Sequence, residues 1–474
     1  MKWAFGFPGA IAAAVQPTVV GRWVFVGSTS GRLYALDLDL GCVFWTFDAA
    51  QTVRSAVTIV PIPRIENGGA RHQAIFSDRS GTVYSLNPMT GELRWKRQVG
   101  GGRAGGSGSP QVYNGRIYVP LTGAGGESED SRSLSHGAVV ALDAETGAQL
   151  WESSTLLSPP QPGRGPNGVG VWNTPTIDTK LGRLYVGTGD SHASPAGPTS
   201  DSIVSYDLKT GAMGWIFQAT QGDAYVNNCD KPLLKDCPSE NGPDIDFAQP
   251  PALVTLENGK RVLVAGQKNG MVYALDPDNK GKELWRARAG KGSALGGIMW
   301  GLASDGKNAY VAVGDDLDSV DRYLTNPNGG ALVAYRLSDG KELWRAKDLS
   351  GCAEHEGSSQ RRNPSPVNVT ERAPPYFGCS NGQNAPVTLI PGVAFSGALD
   401  GHLRAYDTAD GKVLWDFDTA RSFLTTNFVD AHGGSIDSGG VAVVNGTVLT
   451  TSGYSSWGGI HGNVLLAFSA EEAH

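Results

Sequence analysis

One pattern recurs seven times along the chain and constrains the fold more than any other feature. Each copy holds a strand-like segment ending at Asp, Asn or Arg, a short turn with Gly, and a second segment that carries Trp. Self-similarity of this kind predicts a repeat architecture built from one supersecondary unit. The copies read ALDLDLGCVFW (35–45), SLNPMTGELRW (85–95), ALDAETGAQLW (141–151), SYDLKTGAMGW (205–215), ALDPDNKGKELW (274–285), AYRLSDGKELW (334–344) and AYDTADGKVLW (405–415).

The alternation of side chains within each copy predicts β-strands rather than helices. The Gly of the turn tolerates the positive φ that a tight hairpin needs. Upstream of most copies lies another strand-like segment, such as GRIYVPL or GRLYVGTG. The repeat therefore predicts a four-stranded antiparallel sheet whose outermost strand carries the Trp. In a radial stack, that Trp packs against the neighbouring sheet.

The two ends of the chain together supply an eighth repeat. The segment GNVLLAFSA (462–470) matches the strand before the turn but no Trp follows it, whereas KWAF places Trp3 where that Trp belongs. Pairing of these segments closes the ring and removes the open edges that a sheet must otherwise protect. We therefore expect an all-β, eight-bladed β-propeller closed by its terminal strands. The alternative is seven blades and an unrelated tail.

Length and composition agree with one closed ring. The 474 residues alone would suggest two or three domains, but propeller repeats share one toroidal core, so we expect a single domain over residues 1–474. The 65 Gly and 27 Pro residues suit many turns between short strands. A net charge of −7 without a Lys/Arg block argues against a nucleic-acid partner. The sequence contains no run of eighteen apolar residues, so it predicts no membrane span.

The cysteines favour an oxidising compartment. Two lie in one polar insertion and two in another, which predicts two local disulfides and one unpaired thiol; the pairs are Cys229 with Cys237 and Cys352 with Cys379, leaving Cys42. Disulfides persist in the periplasm and outside the cell, so we expect a periplasmic or secreted protein. The alternative is five reduced thiols. The apolar run at residues 3–15 also suggests a clipped secretory leader, but we favour a mature chain that lacks its leader.

The motif A-x-D-x-x-T-G-x-x-x-W, repeated around a ring, resembles the tryptophan-docking motif of the pyrroloquinoline quinone (PQQ) dehydrogenases. The resemblance covers nearly the whole chain. The repeat also occurs in scaffolds without enzymatic activity, so the segments between repeats are what favour an enzyme. Those that resemble the polyvinyl alcohol dehydrogenase branch are SGSPQVYNGRIYVP (107–120), WNTPTIDTKLGRLYVGTGDSH (172–192), VLVAGQKNGMVYALD (262–276), DGHLRAYDTADGKVLWDFDTA (400–420) and HGNVLLAFS (461–469).

The resemblance implies a stacking surface, a calcium ligand and a base. Trp172 resembles the family Trp that stacks on the cofactor, and Asp190 in GTGD lies where the family places a calcium ligand. Asp246 in GPDIDFAQ resembles the catalytic base that takes the hydroxyl proton as hydride leaves the alcohol, and it would also bind calcium. Asp244 is its near neighbour, and we expect only one of these two carboxylates to face the channel.

Two cations are implied in the same way. Lys268 in QKNG matches the family Lys or Arg that reaches the quinone oxygens and stabilises the reduced form. Arg54 in QTVRSA resembles the arginine that holds a cofactor carboxylate, a task that suits its forked guanidinium. Each of these residues also has an ordinary interpretation: a core Trp, an Asp that caps its own turn, or a surface cation.

Further contacts to the cofactor and to calcium are implied by shorter stretches that resemble the family. Ser107 and Trp300 occupy further channel-loop positions of the family, and Asn384 or Gln383 stands where the alcohol branch has another channel Trp. The family's calcium Glu should follow YVPL. Here LTGAGGESED offers Glu127, or Glu129 in another register. The adjacent Cys-Cys pair of some family members has no counterpart, because no two cysteines are adjacent.

Taken together, the resemblance implies a PQQ- and calcium-dependent dehydrogenase that oxidises secondary alcohols, with polyvinyl alcohol or a related polyol as substrate. No CxxCH haem motif occurs, so electrons should pass to an external acceptor such as cytochrome c. One alternative is a cofactor-free scaffold of the cell envelope. Another is a propeller lyase or hydrolase that uses the same channel without a quinone.

Overall fold

A computed structural model of the protein describes residues 1–62, 72–102, 108–123, 134–162, 164–227, 229, 237–239, 241–315, 329–347, 380–454, 456 and 459–469. Eight four-stranded antiparallel sheets follow one another around a ring. From the second sheet to the eighth, neighbouring sheets meet along their innermost strands; the innermost strands of the first and eighth sheets also meet, and an apolar cluster joins the first sheet to the second. The chain is therefore an eight-bladed β-propeller, as the repeats predict.

Each of blades 1 to 7 uses four consecutive strands, counted from the channel outwards. Blade 1 comprises Thr18–Val20, Trp23–Gly27, Arg32–Asp37 and Val43–Asp48, and blade 2 comprises Thr58–Pro61, His72–Ser77, Thr82–Leu86 and Leu93–Gln98. Blade 3 comprises Gln111–Tyr113, Arg116–Leu121, Ala138–Asp143 and Gln149–Ser154, and blade 4 comprises Thr176–Asp178, Arg183–Gly187, Ser202–Asp207 and Met213–Gln218.

The second half of the ring repeats this order until the last blade, whose outer strand comes from the start of the chain. Blade 5 comprises Ala252–Thr255, Arg261–Gly266, Met271–Asp276 and Lys282–Arg288, and blade 6 comprises Ala303–Ser304, Asn308–Val313, Ala331–Arg336 and Glu342–Ala346. Blade 7 comprises Thr388–Ile390, Val393–Gly397, His402–Asp407 and Val413–Asp418, and blade 8 comprises Ala442–Val444, Thr447–Ser452, Val464–Ser469 and Trp3–Gly6.

The ring is closed by both ends of the chain. Trp3–Gly6 pairs with Val464–Ser469 in antiparallel register, with Trp3 opposite Ala467. The indole N–H of Trp3 donates to the carbonyl of Leu38 in blade 1 at 3.0 Å. The prediction that the N-terminal segment completes the last blade is therefore confirmed, and the alternative of a seven-bladed ring with a tail is wrong.

The repeated Trp joins each blade to the next. The Trp45 ring of blade 1 lies against Gly91 in the turn between the third and fourth strands of blade 2, where a Cβ would come within 2.7 Å of the ring. Gly91 has a φ of +75°, so the glycine serves both the turn and the close approach. Trp415 of blade 7 contacts Phe468 of blade 8 instead, with ring centroids 5.2 Å apart.

The hydrophobic core is distributed between the blades. Apolar side chains of the middle strands face the next blade on each side; one such cluster joins Leu33 and Ala35 of blade 1 to Ala74 and Phe76 of blade 2. Burying these faces against each other is what stabilises sheets that would not fold alone. Among the described residues, no helix is long and apolar enough to cross a membrane. The described ranges include the short 3-10 helices Gly100–Gly102 and Pro277–Asn279.

An extra hairpin covers the outer edge of blade 8. The strands Ser422–Phe423 and Ala431–His432 pair with each other, and the loop between them lies along the closing strand. The amide of Asn427 exchanges hydrogen bonds with both backbone groups of Gly6, and the Thr426 N–H donates to the Ala4 carbonyl. The backbone groups at this edge are thereby partly satisfied.

The antiparallel order places two kinds of connection on one face of the ring. The links from each outer strand to the next inner strand lie on the same side as the loops between second and third strands. We call this side the upper face. The turns that hold the docking glycines lie on the opposite face. Loops that converge over a central channel are the usual place for a site in a propeller.

Candidate active site

The upper face gathers the site residues that the sequence predicts. Arg54, Trp172, Asp246, Trp300 and Asn384 lie in five of the links between blades. Asp190 and Lys268 lie in the loops between the second and third strands of blades 4 and 5.

Three buried carboxylates form the most acidic part of the site. Asp190, Asp244 and Asp246 each offer an oxygen, and these atoms lie within 4.8 Å of one another. The backbone N–H of Asp190 donates to Oδ1 of Asp246 at 2.9 Å, and the N–H of Tyr225 donates to Oδ2 of Asp190 at 3.0 Å. Clustered carboxylate oxygens are the ligands that hard divalent cations such as calcium prefer.

The ammonium of Lys268 lies among these carboxylates. Its Nζ atom is 2.5 Å from Oδ1 of Asp244 and 2.9 Å from Oδ2 of Asp246, and all three side chains are buried. The same Nζ atom lies 5.4 Å from the centroid of the Trp172 ring. The cation thus offsets part of the negative charge of the cluster and lies over the face of the aromatic ring.

We expected only one carboxylate of the Asp-x-Asp pair to face the channel, but the structure does not separate the two in this way, since both contact the ammonium of Lys268. Residues two apart on a roughly extended chain lie on the same side, and the residue between them points away. Ile245, between the two, is buried. The backbone of Asp244 is left-handed, with a φ of +59°.

Backbone contacts fix the position of the Asp246 segment between blades 4 and 5. The N–H of Lys268 donates to the carbonyl of Asp246 at 3.0 Å, and the N–H of Phe247 donates to the carbonyl of Thr188 at 3.1 Å. Gly189 packs against the carboxylate, and a Cβ there would lie 3.0 Å from Oδ1 of Asp246. The loop sequence GTGD therefore allows the backbone to approach the carboxylate closely.

Two tryptophans form the aromatic part of the site. The rings of Trp172 and Trp300 meet edge to face, with centroids 5.2 Å apart and an interplanar angle of 80°. The guanidinium carbon of Arg54 lies 5.7 Å from the centroid of the Trp300 ring, and its Nη2 lies 3.3 Å from Oγ of Ser438. The predicted cation and the two predicted aromatic side chains are therefore neighbours.

A carboxylate that our sequence analysis did not select holds this aromatic part together. Asp437, in the link between blades 7 and 8, accepts a hydrogen bond from the Trp300 indole at 2.5 Å and one from the Asn384 amide at 3.1 Å. Burial raises the pKa of Asp437 to about 6, while the two donors and the charge of Arg54 act in the opposite direction.

More ionisable groups lie close to the carboxylate cluster. Asp201 is fully buried, and burial together with the charges of Asp223 and Asp246 raises its pKa. The pKa of Asp223 is also raised, mainly by burial, although its Oδ2 accepts from the N–H of Ile245 at 2.8 Å. Burial lowers the pKa of His192 to about 4, so this imidazole is neutral. Like charges near one another favour the protonated form of the most buried carboxyl.

A cavity of about 660 Å³ lies at the centre of the ring, lined by inner-strand residues of blades 1 to 3 and by the links that lead into the other blades. Its wall includes Trp172, Trp300, Arg54 and Ser438, whereas the three clustered carboxylates do not line it. The aromatic pair therefore has the central channel on one side. A cavity of this size suits a ligand of a few hundred daltons.

Several predicted residues lie outside the described part of the chain. These are Ser107, Glu127, the alternative Glu129, and the cysteine pair Cys352 and Cys379. The predicted Cys229–Cys237 disulfide is confirmed, and Cys42 is an exposed free cysteine. Asp437, Asp201 and Asp223 were missed. The first lies in GGSIDSGG, and its position in a link between blades was the signal that could have selected it.

Comparisons with known proteins agree with this geometry. A polyvinylalcohol dehydrogenase of Pseudomonas sp is 36% identical over 99% of this chain and 72% of its own length. A polyvinylalcohol dehydrogenase of Sphingopyxis sp. (strain 113P3) is 34% identical over 99% of this chain and 72% of its own length. The chain belongs to the quinoprotein alcohol dehydrogenase family, in its polyvinyl alcohol dehydrogenase-like branch.

Two further comparisons concern the family and the fold. The family model described as "Outer membrane protein assembly factor BamB" matches residues 2–225 and 268–372. The crystal structure of the quinohemoprotein alcohol dehydrogenase from Comamonas testosteroni superposes with a TM-score of 0.64 and 17% sequence identity, covering 100% of this chain and 78% of that one. The relatives at 34–36% identity are named dehydrogenases, and this member of the family is an oxidoreductase.

The described residues fit the groups that this family implies. Three buried carboxylates with oxygens within 4.8 Å suit a divalent cation. The Trp172 and Trp300 rings and the cations Lys268 and Arg54 suit a flat, anionic ring system. The buried Oδ1 of Asn384 has no hydrogen-bond partner in the described part of the chain, so it retains capacity to bind a ligand.

Proposed function

We propose that this quinoprotein is a PQQ- and calcium-dependent dehydrogenase that oxidises secondary alcohols to ketones. The observation that carries the proposal is the position of Lys268, whose ammonium contacts Asp244 and Asp246 and lies over the Trp172 ring. This arrangement places a cation site, a base and a stacking surface side by side, which hydride removal from an alcohol requires.

Each predicted residue has a defined part in this proposal. Trp172 provides the stacking surface, while Arg54, Trp300 and Asn384 bind the polar edge of the cofactor. Asp190 and Asp246 bind calcium, and Asp244 stands within reach as a further ligand. Ser107 as a cofactor contact and Glu127 as a calcium ligand remain part of the proposal on the family resemblance.

Asp246 takes the proton of the substrate hydroxyl. Its Oδ1 already accepts from the Asp190 N–H, and its Oδ2 from the Lys268 ammonium, so the carboxylate is held in one orientation before the substrate arrives. When bound, PQQ with its calcium ion supplies the acceptor for the hydride and its two electrons. The Lys268 ammonium stabilises negative charge that develops beside Trp172.

The relatives and the disulfide support the proposed substrate and location. Both relatives at 34–36% identity are polyvinylalcohol dehydrogenases, which supports a secondary alcohol, polymer or polyol as substrate. Electrons would leave to an external acceptor such as cytochrome c. The Cys229–Cys237 disulfide supports a periplasmic or secreted protein. We further propose that residues 1–474 act as one domain.

The match to the assembly-factor family model supports a second candidate function, that of a cofactor-free scaffold of the cell envelope. A scaffold has no need for a buried lysine between two buried aspartates. Burying three charged groups is costly unless they serve a site. Quinone binding separates the two functions, since a scaffold would not take up PQQ.

Reconstitution tests the proposal directly. Purified protein is mixed with PQQ and calcium, and dye reduction is followed with a panel of primary and secondary alcohols. We expect activity that needs both additions and that Asp246→Asn abolishes. The control Asp305→Asn removes a carboxylate on the opposite face of the ring, where it accepts from the Tyr310 hydroxyl, and should keep activity. Folded protein that does not bind PQQ would contradict the proposal and favour the scaffold.

A further inference from the structure

Asp437 is a buried carboxylate in the link between blades 7 and 8, beside the aromatic part of the site. Its side chain is 4% exposed. One carboxylate oxygen accepts from the indole N–H of Trp300 at 2.5 Å, and the other accepts from the amide of Asn384 at 3.1 Å. The carboxylate therefore connects three separate links between blades through two hydrogen bonds.

The contacts of Trp300 extend this connection to two more residues. The Trp300 ring meets the Trp172 ring edge to face at 5.2 Å, and the Arg54 guanidinium lies 5.7 Å from the Trp300 centroid. A rotation of the Trp300 indole would remove both contacts. The hydrogen bond to Asp437 therefore also holds the ring that contacts Trp172.

The groups that contact Asp437 suit an ionised carboxylate, which accepts a hydrogen bond at each oxygen. In the part of the chain that the structure describes, its two hydrogen-bond partners are both N–H donors. The nearby charge of Arg54 also favours the ionised form, whereas burial disfavours it. Tyr454 lies nearby: burial raises the pKa of its hydroxyl, and the negative charge of Asp437 raises it further. Hydrogen bonds to a buried carboxylate are short and directional, so they fix the donors well.

We propose that Asp437 is a positioning residue of the cofactor site, which fixes the Trp300 indole and the Asn384 amide and, through Trp300, the stacking face of Trp172 and the guanidinium of Arg54. This inference rests on the proposed function. It assigns the aromatic half of the site its own carboxylate, on the other side of the ring from the Asp190, Asp244 and Asp246 cluster. Side chains fixed before binding spare the ligand the entropic cost of ordering them.

Three variants separate a positioning role from a merely structural one. Asp437→Leu removes both carboxylate oxygens that accept hydrogen bonds. Asp437→Asn keeps one oxygen and places an amide N–H opposite one of the two donors, the Trp300 indole or the Asn384 amide. The double variant Asp437→Asn with Asn384→Asp restores the pattern, because the new amide accepts from Trp300 and donates to the new carboxylate. Asp178→Asn is the control, since Asp178 is also buried but lies on the lower face, where it accepts from the Tyr185 hydroxyl and pairs with Arg261.

Two measurements are made on the full chain. The first is the indole ¹⁵N–¹H resonance of Trp300 in protein without additions, assigned with Trp300→Phe. The second is PQQ affinity in the presence of calcium. We expect Asp437→Leu and Asp437→Asn to move the resonance and to weaken PQQ binding at least about tenfold, and the double variant to return the resonance towards its original position. Asp178→Asn should change neither.

The outcomes separate this inference from the function on which it rests. Absence of PQQ binding by the unaltered protein contradicts the proposed function, while the Trp300 resonance still tests the hydrogen bond. Normal PQQ binding by a folded Asp437→Asn variant, with an unmoved Trp300 resonance, overturns the positioning role. If Asp437→Leu does not fold, the single Asn variant and the double variant carry the test.

Discussion

The Nζ atom of Lys268 lies 2.9 Å from Oδ2 of Asp246, and both side chains are buried. A buried ion pair of this kind is weak evidence for stability by itself, because removing both charges from water offsets much of their attraction. Its position over Trp172 explains it better as part of a site. The first prediction concerns what happens when the cation is removed.

We predict that Lys268→Met destabilises the protein by about 3–5 kcal/mol, because it leaves Asp244 and Asp246 buried without their cation. Added calcium should then raise the melting temperature of the variant more than that of the unaltered protein, since the ion replaces the lost charge. Differential scanning calorimetry with and without calcium measures both effects.

The matched control is Lys307→Met, whose ammonium pairs with Glu257 in an exposed bridge. Exposed pairs contribute little because water screens them, so this variant should behave like the unaltered protein. An equal rise in both proteins would show that Lys268 does not affect calcium binding, and no rise in either protein would show that the carboxylates do not bind the ion.

The second prediction concerns pH. Burial raises the pKa of Asp437 to about 6, so between about pH 4 and pH 6 the folded protein holds a proton that the unfolded chain has released. The contribution of this group to stability is therefore largest below pH 4 and is lost as the pH rises towards 6. The free energy of unfolding should fall by about 1.4 kcal/mol per pH unit relative to that of Asp437→Asn over this interval.

Urea unfolding of the two proteins at half-unit steps of pH gives this difference directly. A constant difference between pH 4 and pH 6 would mean that the carboxyl is already ionised at pH 4 in the folded protein. The comparison cancels the contributions of the other buried carboxyls, because both proteins retain them.

The third prediction concerns the docking of Trp45 on Gly91. Gly91→Ala should destabilise the protein by about 2–4 kcal/mol, because a methyl group meets the ring at 2.7 Å and the backbone has a φ of +75°. Gly115→Ala is the control, since its φ is +73° and its Cβ would meet nothing within 4 Å. It should cost only the backbone strain, about 1–2 kcal/mol. Guanidinium unfolding curves that coincide for the two variants would show that ring contact is unimportant.

The fourth prediction concerns the disulfide. Replacing both Cys229 and Cys237 by Ser should lower the free energy of unfolding by about 2–3 kcal/mol, the value expected for a short closed loop. Cys42→Ser should leave it unchanged, because that thiol is exposed and free. Thermal unfolding with and without a reductant provides a second measurement, and an unaltered protein insensitive to reduction would contradict the prediction.

The sequence determines the fold well because its signal is local and repeated. Each of the seven Trp residues of the repeats lies a few residues after a turn glycine, and each strand pairs mostly with its neighbour in the chain. Even the split blade can be predicted from incomplete repeats: no Trp follows the last strand, and no strand precedes Trp3. The family resemblance then selects Lys268, Asp246 and Trp172, which the fold brings together.

Asp437 could not be selected in this way. Its partners Trp300 and Asn384 are 137 and 53 residues away in the sequence, and no local spacing encodes such contacts. The relation of Asp244 to Asp246 was misjudged for a different reason. Residues two apart on an extended chain share a side, so the Asp-x-Asp pattern itself favours two carboxylates in one site.

The pairing of Trp3 with Ala467 also determines the order in which the molecule can be completed. Seven blades consist of consecutive strands and can form as the polypeptide emerges, each docking on the one before it. The first strand, with buried Trp3 and Phe5, must wait for the last one. Contacts between distant residues form late because the chain must first close a long loop. A prematurely terminated chain therefore keeps an open ring with an apolar N-terminal segment exposed, which gives proteases and chaperones a means to recognise it.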